Sequence, residues 1–300
     1  MKLGFVGLGR MGGNMARHLG AAGHDVLVFD AHPPAIQRLA EKPGISAADS
    51  IAEVAAHADA VFTSLPGPPE VESVVLGAGG LLESMKPGSV YIDLSSNAPS
   101  LVRRLHATLA ARGIDMVDAP VSGGEEGAIA GNLSVMVGGD KDVFERVKPL
   151  LLAFGGEGKI FHCGGIGAGS VTKLCNNITG FSIGIILSES LTLGVKAGVD
   201  LNTLASVIGV STGSSNRLVR KFPQYLFKGN FTPGFMVQLA AKDARLALEL
   251  ADEVGVPMAA ASYTRSQLEE AMKRGWASED SDSVARLQEE RAGVQLRLPV

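Results

Sequence analysis

Six short apolar runs in the first half of the chain are each followed by a turn or a helical pattern, and this alternation constrains the fold more than any other feature of the 300 residues. The runs are KLGFVG at the start, DVLVFD (25–30), DAVFTSLP (59–66), SVYIDLS (89–95), IDMVDAPV (114–121) and LSVMVGG (133–139). They are rich in Val and Ile, as strands covered on both faces must be. Segments with apolar residues at helical spacing, such as Leu101, Leu105 and Leu109, separate most of them. That order predicts βαβ units with right-handed crossovers, hence an α/β, doubly wound, mostly parallel sheet. After KIFHCGGIGAG (159–169) the strand signals stop, and from Val171 the patterns are helical, punctuated by GVD, STGSSN, KGNFTPG and VGVPM. The expected division is a first domain over 1–164 and an all-helical domain over 165–300, opening with a long helix at about 170–197 that Gly198 closes. The stretch after Glu290 is expected to be a poorly tied tail.

Composition narrows the function classes. With 46% hydrophobic and 19% charged residues and a net charge of -4, the chain lacks the basic excess of a nucleic-acid binder. Its two cysteines, Cys163 and Cys175, are too few for a disulfide framework and lack ligand partners, so no metal site is assigned and both read as buried or half-buried. No charged, apolar and cleavage regions precede the first strand, and the most apolar later run, Ile178–Leu187, is shorter than the ~20 residues of a membrane span. The expectation is a cytoplasmic protein with neither nucleic-acid nor membrane partners.

GFVGLGRMGGNMARHL contains Gly7-x-Gly9-x-x-Gly12, placed after the first strand and opening a helix. In that context Gly7 permits a tight turn, Gly9 lets a pyrophosphate approach the backbone, and Gly12 allows close packing of helix on strand. Leu8, Arg10 and Met11 complete the loop. The helix start offers N–H groups and a positive dipole end to phosphates. The second strand ends in Asp30, at the distance of the acid that binds the ribose hydroxyls of NAD. Its carboxylate would repel a 2′-phosphate, and Ala31, His32, Pro33 and Pro34 follow where an arginine would serve NADP, so NAD is favoured over NADP; Arg38, on the next helix, reads as a surface charge. Leu65 and Pro66 in SLPGP, and Ser95 and Ser96 in DLSSNAP, lie at carboxyl ends of strands, where ligands bind in such sheets. The two serines bond the nicotinamide or its ribose, cap the helix before Pro99, or do both.

DAPVSGGEEGAIAGNLSVMVGG (118–139) is a second glycine cluster. Ser122, Gly123 and Gly124 follow a strand, where successive N–H groups form an anion-binding turn or a plain loop. In GAGSVTKLCNN, Lys173 and Asn177 are four apart and share a helix face, which Gly180 and Gly184 continue, leaving room for an approaching group. A lysine on a helix is commonly a solvated side chain; here Leu174, Cys175 and Ile178 argue for burial, where an ammonium group needs compensation or a use.

Five blocks, GFVGLGRMGGNMARHL, DLSSNAP, DAPVSGGEEGAIAGNLSVMVGG, GAGSVTKLCNN and FTPGFMVQLAAKDARLAL, together resemble the β-hydroxyacid dehydrogenases of the 3-hydroxyisobutyrate dehydrogenase type, in the same order and over residues 4 to about 248. The resemblance implies a Rossmann domain, a long interdomain helix and an all-helical domain, often shared in a homo-oligomer, here a homodimer or homotetramer. It carries the catalytic lysine onto Lys173, substrate contacts onto Ser122, Gly123, Gly124 and Asn177, and a further cofactor- or substrate-facing lysine onto Lys242. It implies NAD-dependent oxidation of a small 3-hydroxy acid to its semialdehyde, with Lys173 as general acid and base. Two alternatives stand beside it: a semialdehyde reductase of tartronate, succinic or glyoxylic type, and a non-catalytic scaffold. Ser96 stands where the family has threonine, which keeps the hydroxyl. STGSSN (211–216) is only loosely similar to the 3-hydroxyisobutyrate enzymes, so the resemblance does not name the substrate.

Overall fold

A computed structural model describes residues 1–39 and 41–298. The chain falls into two compact units, Met1–Lys173 and Leu174 onward.

The first unit is built on a sheet of nine strands among the described residues: β1 (Lys2–Val6), β2 (Asp25–Phe29), β3 (Ile45–Ala47), β4 (Ala60–Thr63), β5 (Val90–Asp93), β6 (Asp115–Asp118), β7 (Val121–Ser122), β8 (Leu133–Gly138) and β9 (Gly155–Gly164). The order is β3-β2-β1-β4-β5-β6-β8-β7, with β9 on β8, and the first six strands are all parallel. This is the doubly wound dinucleotide-binding order, whose direction of winding reverses between β1 and β4. β8 runs antiparallel to β6 and β7.

Strand alternation divides the apolar side chains between two cores, as a sheet covered on both faces requires. Leu3, Phe5, Val26, Val28, Phe62, Ile92 and Val117 enter one. Val6, Leu27, Val61, Tyr91 and Met116 enter the other. Two details depart from the sequence reading. Strand β3, only three residues long, carries too little pattern to be seen in ISA. The run IDMVDAPV is not one strand but β6 and β7, separated at Ala119 and Pro120, because Pro120 has no N–H to continue a ladder.

In the second unit the described residues form helices and short helical turns, chiefly the helices Leu201–Val210, Val237–Val254, Ala259–Lys273 and Ala285–Ala292 and the π-helical turn Arg217–Lys221. Leu187, Leu191, Leu218, Phe222, Leu226, Phe227 and Leu296 form a core. The long helix Ala168–Lys196, within which the two units meet in sequence, ends before Gly198 at φ 96°. At 29 residues, with a mean hydropathy of 1.5 in its most apolar window, it has the length and composition to cross a membrane. The apolar run alone understated that length, because the helix continues through polar positions.

The tail expected after Glu290 is instead tied as far as Leu298, and positions 299–300 lie outside the described residues. The Leu296 side chain is 0% exposed. Its N–H donates to Glu289 Oε1 at 2.6 Å, Arg297 pairs with the same carboxylate, and the Leu298 N–H donates to the Phe227 carbonyl.

Candidate active site

At the carboxyl end of β1, Gly7 has φ 94°, open to glycine at no steric cost, and a β-carbon there would strike the Ser64 carbonyl oxygen at the end of β4. A β-carbon at Gly12 would strike the Gly7 carbonyl oxygen, so this glycine sets how closely the helix Gly12–Ala21 approaches the strand. Gly9 differs: a β-carbon there meets nothing within 4 Å. Internal packing gives no reason for glycine at 9, and room for an outside group does. No side chain caps the helix Gly12–Ala21 and no acid lies in its first turn. Its leading amides and dipole are therefore suited to phosphate.

Asp30 follows β2. Its Oδ2 accepts the Leu8 N–H at 2.6 Å and its Oδ1 accepts the His32 N–H at 2.7 Å, so it braces the glycine loop. Arg38 is the surface charge expected, with one contact to the loop. Its side chain is exposed, but Nη2 lies 3.5 Å from the Leu8 carbonyl oxygen, placing a cation beside the same loop. Arg10 pairs with Glu125 at 3.3 Å, and Met11 packs against the first core.

The ends of β4, β5 and β6 are tied by two buried carboxylates. Asp93 accepts from Thr63 Oγ1, the Ser95 N–H and Asn97 Nδ2, all at 3.0 Å. The Thr63 hydroxyl gives its one proton to Asp93, so at 2.7 Å the Tyr91 hydroxyl must donate to Thr63. Ser95 Oγ accepts the Leu65 N–H at 2.9 Å. That occupies Ser95 in joining two strand ends, and the helix after it is capped at Ala98 by no side chain, so the serines are not its cap. Ser96 is half-buried and Pro66 exposed. Burial pushes the Asp93 carboxyl above its ordinary value, against the hydrogen bonds from Ser95, Asn97 and Thr63, which favour the carboxylate. Burial does the same to Asp118, opposed by the amides of Ser170 and Gly167 and reinforced by the charge of Asp93.

Ser122 ends β7 half-buried, Gly123 has φ 140° and Gly124 has φ 64°. A side chain at either position would be strained, and Gly124 opens the helix Gly124–Ala130, uncapped by any side chain. This short helix is bonded to the helix of the first glycine loop. His18 Nε2 donates to the carbonyls of Ala128 at 3.0 Å and Ile129 at 3.1 Å, and Arg17 donates to Ile129.

Lys173 is 7% exposed and lies one turn into the helix Ala168–Lys196. It closes the first unit, whereas Asn177 and Lys242 belong to the second. There Asn177 Nδ2 donates to Asp243 Oδ2 at 2.6 Å, Asn177 Oδ1 accepts from Asn176, and Lys242 Nζ stands 3.1 Å from Asp243 Oδ1. A carboxylate only accepts, so Asp243 fixes which way the Asn177 amide faces. The room at Gly184 is not open to a ligand, because the Arg217 guanidinium fills it, donating to the Gly180 carbonyl at 2.8 Å and pairing with buried Asp282. Cys175 is exposed and Cys163 half-buried. Among the described residues no group of three His, Cys, Asp or Glu is gathered for a metal.

Asp93, Asp118 and Asp243 are the site residues that sequence reasoning missed. A signal was present for two of them: an acid ending an otherwise apolar strand is poorly suited to the ladder and is there for something else.

Comparison with known proteins gives the family. Residues 2–165 match the profile of the NAD binding domain of 6-phosphogluconate dehydrogenase, and residues 167–288 match that of the NAD-binding domain of NADP-dependent 3-hydroxyisobutyrate dehydrogenase. The chain is 38% identical to 2-(hydroxymethyl)glutarate dehydrogenase of Eubacterium barkeri over 99% of its own length and 97% of the relative's. It is 41% identical to 3-hydroxyisobutyrate dehydrogenase of Pseudomonas aeruginosa over 84% and 86%. The solved structure of Mycobacterium tuberculosis 3-hydroxyisobutyrate dehydrogenase with L-serine superposes with a TM-score of 0.86 at 32% identity, covering 95% of this chain and 98% of that one.

Proposed function

Because the chain belongs to the β-hydroxyacid dehydrogenase family, NAD(P)-dependent oxidoreductases related to 3-hydroxyisobutyrate dehydrogenase, we propose that it oxidises a small 3-hydroxy acid to its semialdehyde with NAD. The observation that carries this reading is Lys173, an amine-bearing side chain 7% exposed on a helix that begins against the strand ends.

The residues present fit the dinucleotide. The glycine loop, with the open approach at Gly9, would hold the pyrophosphate, and Asp30 the adenosine ribose. Leu65, Pro66, Ser96 and Lys242 are assigned to its other end. When bound, the nicotinamide supplies the acceptor for the hydrogen and electron pair leaving the substrate carbon. The chain's own residues do the rest. Ser122 and the amides of Gly123 and Gly124 hold the substrate carboxylate. Lys173 Nζ takes the hydroxyl proton as the carbonyl forms and returns it in the reverse direction. Asn177, held by Asp243, orients the same end of the substrate.

The test is NADH formation by the purified protein with 3-hydroxyisobutyrate, 3-hydroxypropionate, 3-hydroxybutyrate, glycerate, serine and 2-(hydroxymethyl)glutarate, in wild type and Lys173→Ala. One acid should turn over in wild type. The variant should bind NADH normally and lose ~10²–10⁴-fold in kcat, the span of general acid–base contributions. A variant that keeps wild-type kcat removes Lys173 from the mechanism.

A second reading has its own support. The Arg38 guanidinium beside Leu8 favours acceptance of a 2′-phosphate, and so an NADPH-dependent semialdehyde reductase. Reduction of tartronate, succinic and glyoxylic substrates with NADPH, faster than any oxidation with NAD, would select it. For the quaternary state we propose a homo-oligomer in which a second copy covers Ile186, Leu193, Val207 and Val210, of which Val210 is 90% exposed. Light scattering at the mass of a single chain would refute it.

A further inference from the structure

We propose that Asp118 is a positioning residue that sets where Lys173 presents its amine. The inference rests on the reading of Lys173 as the acid–base group. Asp118 ends β6 with its carboxylate buried. Its Oδ1 accepts the Gly167 N–H at 2.7 Å and its Oδ2 accepts the Ser170 N–H at 2.6 Å. These amides bracket the start of the helix Ala168–Lys196, where backbone donors have no partner within the helix. Most helices satisfy one such donor with a local Ser, Thr, Asp or Asn. Gly167, just before this helix, has no side chain to do so, and both acceptor atoms come from a strand 49 and 52 residues earlier in sequence.

The packing around the carboxylate leaves no slack. A β-carbon on Gly138, in β8, would strike Asp118 Oδ1 and approach the Ala168 and Gly169 amides. One on Gly169 would strike the Met136 carbonyl and come within 3.0 Å of Asp118 Oδ2. Two glycines and one carboxylate therefore fix both the distance and the rotation of the first helical turn against β6 and β8. Ser170, which Asp118 grips, lies three residues before Lys173 and so on the same face. Any shift at Ser170 moves the root of the lysine side chain. A buried carboxylate is a costly way to cap a helix that a serine could cap. What it adds is a fixed link between the strand ends and the residue one turn along.

The experiment is a double-variant cycle in the full chain. Asp118→Ala should lower kcat ~10²-fold, the penalty of about 1 Å of misplacement, while leaving the dissociation constant for NADH within about twofold. In a Lys173→Ala background the same change should cost no more than about twofold, because the residue through which it acts is gone. Asp118→Asn, which keeps one acceptor oxygen, should fall between. Independently of any substrate, acylation of Lys173 by acetic anhydride, read by peptide mass spectrometry against exposed Lys2, should rise in Asp118→Ala. Equal losses of kcat in both backgrounds, or unchanged Lys173 labelling, would overturn the proposal. If Asp118→Ala does not fold, Asp118→Asn and Gly138→Ala carry the same two readouts. If wild type turns over no hydroxy acid, the functional reading fails, and the labelling still decides whether Asp118 holds Lys173.

Discussion

Asp30 shows how one side chain is given two tasks. Its carboxylate already accepts the Leu8 and His32 amides, so it shapes the glycine loop as well as serving the ribose contact proposed for it. Hydrogen bonds to a charged group contribute ~1.5–3 kcal/mol, which corresponds to roughly 10–100-fold in affinity. Asp30→Ala should therefore raise the KM for NAD by at least about tenfold and change that for NADP less, since it also removes repulsion of the 2′-phosphate. Arg38→Ala should act on NADP alone. Steady-state kinetics with both cofactors decide the point, and an unchanged NAD-to-NADP ratio in both variants would show that neither residue discriminates. Asp30 was legible because it stands at a fixed distance from a glycine motif. Arg38 is the exposed charge that was expected, and its reach to Leu8 was not legible because it depends on where the following helix turns back, which no local pattern encodes.

At the scale of elements, the strand ends are joined by charge rather than by apolar contact. Asp93 and Asp118 are neighbours in the register of β5 and β6, and burial raises both carboxyls. In an unfolded chain an Asp titrates at ~3.9. Between about that pH and the raised native value, the folded protein binds the extra protons. Stability from these groups is thus complete below the unfolded value and is lost as pH rises through the native one. Asp93→Asn should flatten the fall in stability across that window by up to ~1.4 kcal/mol per pH unit for the single proton removed. Urea unfolding midpoints of wild type and variant from pH 4 to 7 measure this. Parallel curves would mean that the native Asp93 does not titrate there. The strands themselves were legible as apolar runs. Their junctions were not, because Thr63 meets Asp93 and Leu65 meets Ser95 only after separate βα units have been laid side by side.

Over the whole molecule, the parallel order of β1 to β6 and the change to helices beyond residue 164 followed from the alternation of apolar runs, since a parallel strand must be buried and must be followed by a crossover. The C-terminal segment escaped the same reasoning. RAGVQLRLPV has no helical or strand period, and among its described residues only Leu296 is fully buried. Its attachment comes from one distant carbonyl and one nearby acid, neither of which a periodic pattern marks. The Leu298 amide meets Phe227, and Glu289 takes the Leu296 amide and the Arg297 guanidinium together. Irregular backbone can be held this way because its polar groups are satisfied and one apolar side chain fills the core. Leu296→Ala should then cost ~2–5 kcal/mol, the range for emptying a buried leucine site. Val256→Ala, at a position 52% exposed, should stay within about 0.5 kcal/mol. Chemical denaturation of the two variants separates the cases: a loss at Leu296 no larger than that at Val256 would mean that the tail detaches freely from the helical unit, and a loss in the stated range makes it part of the core.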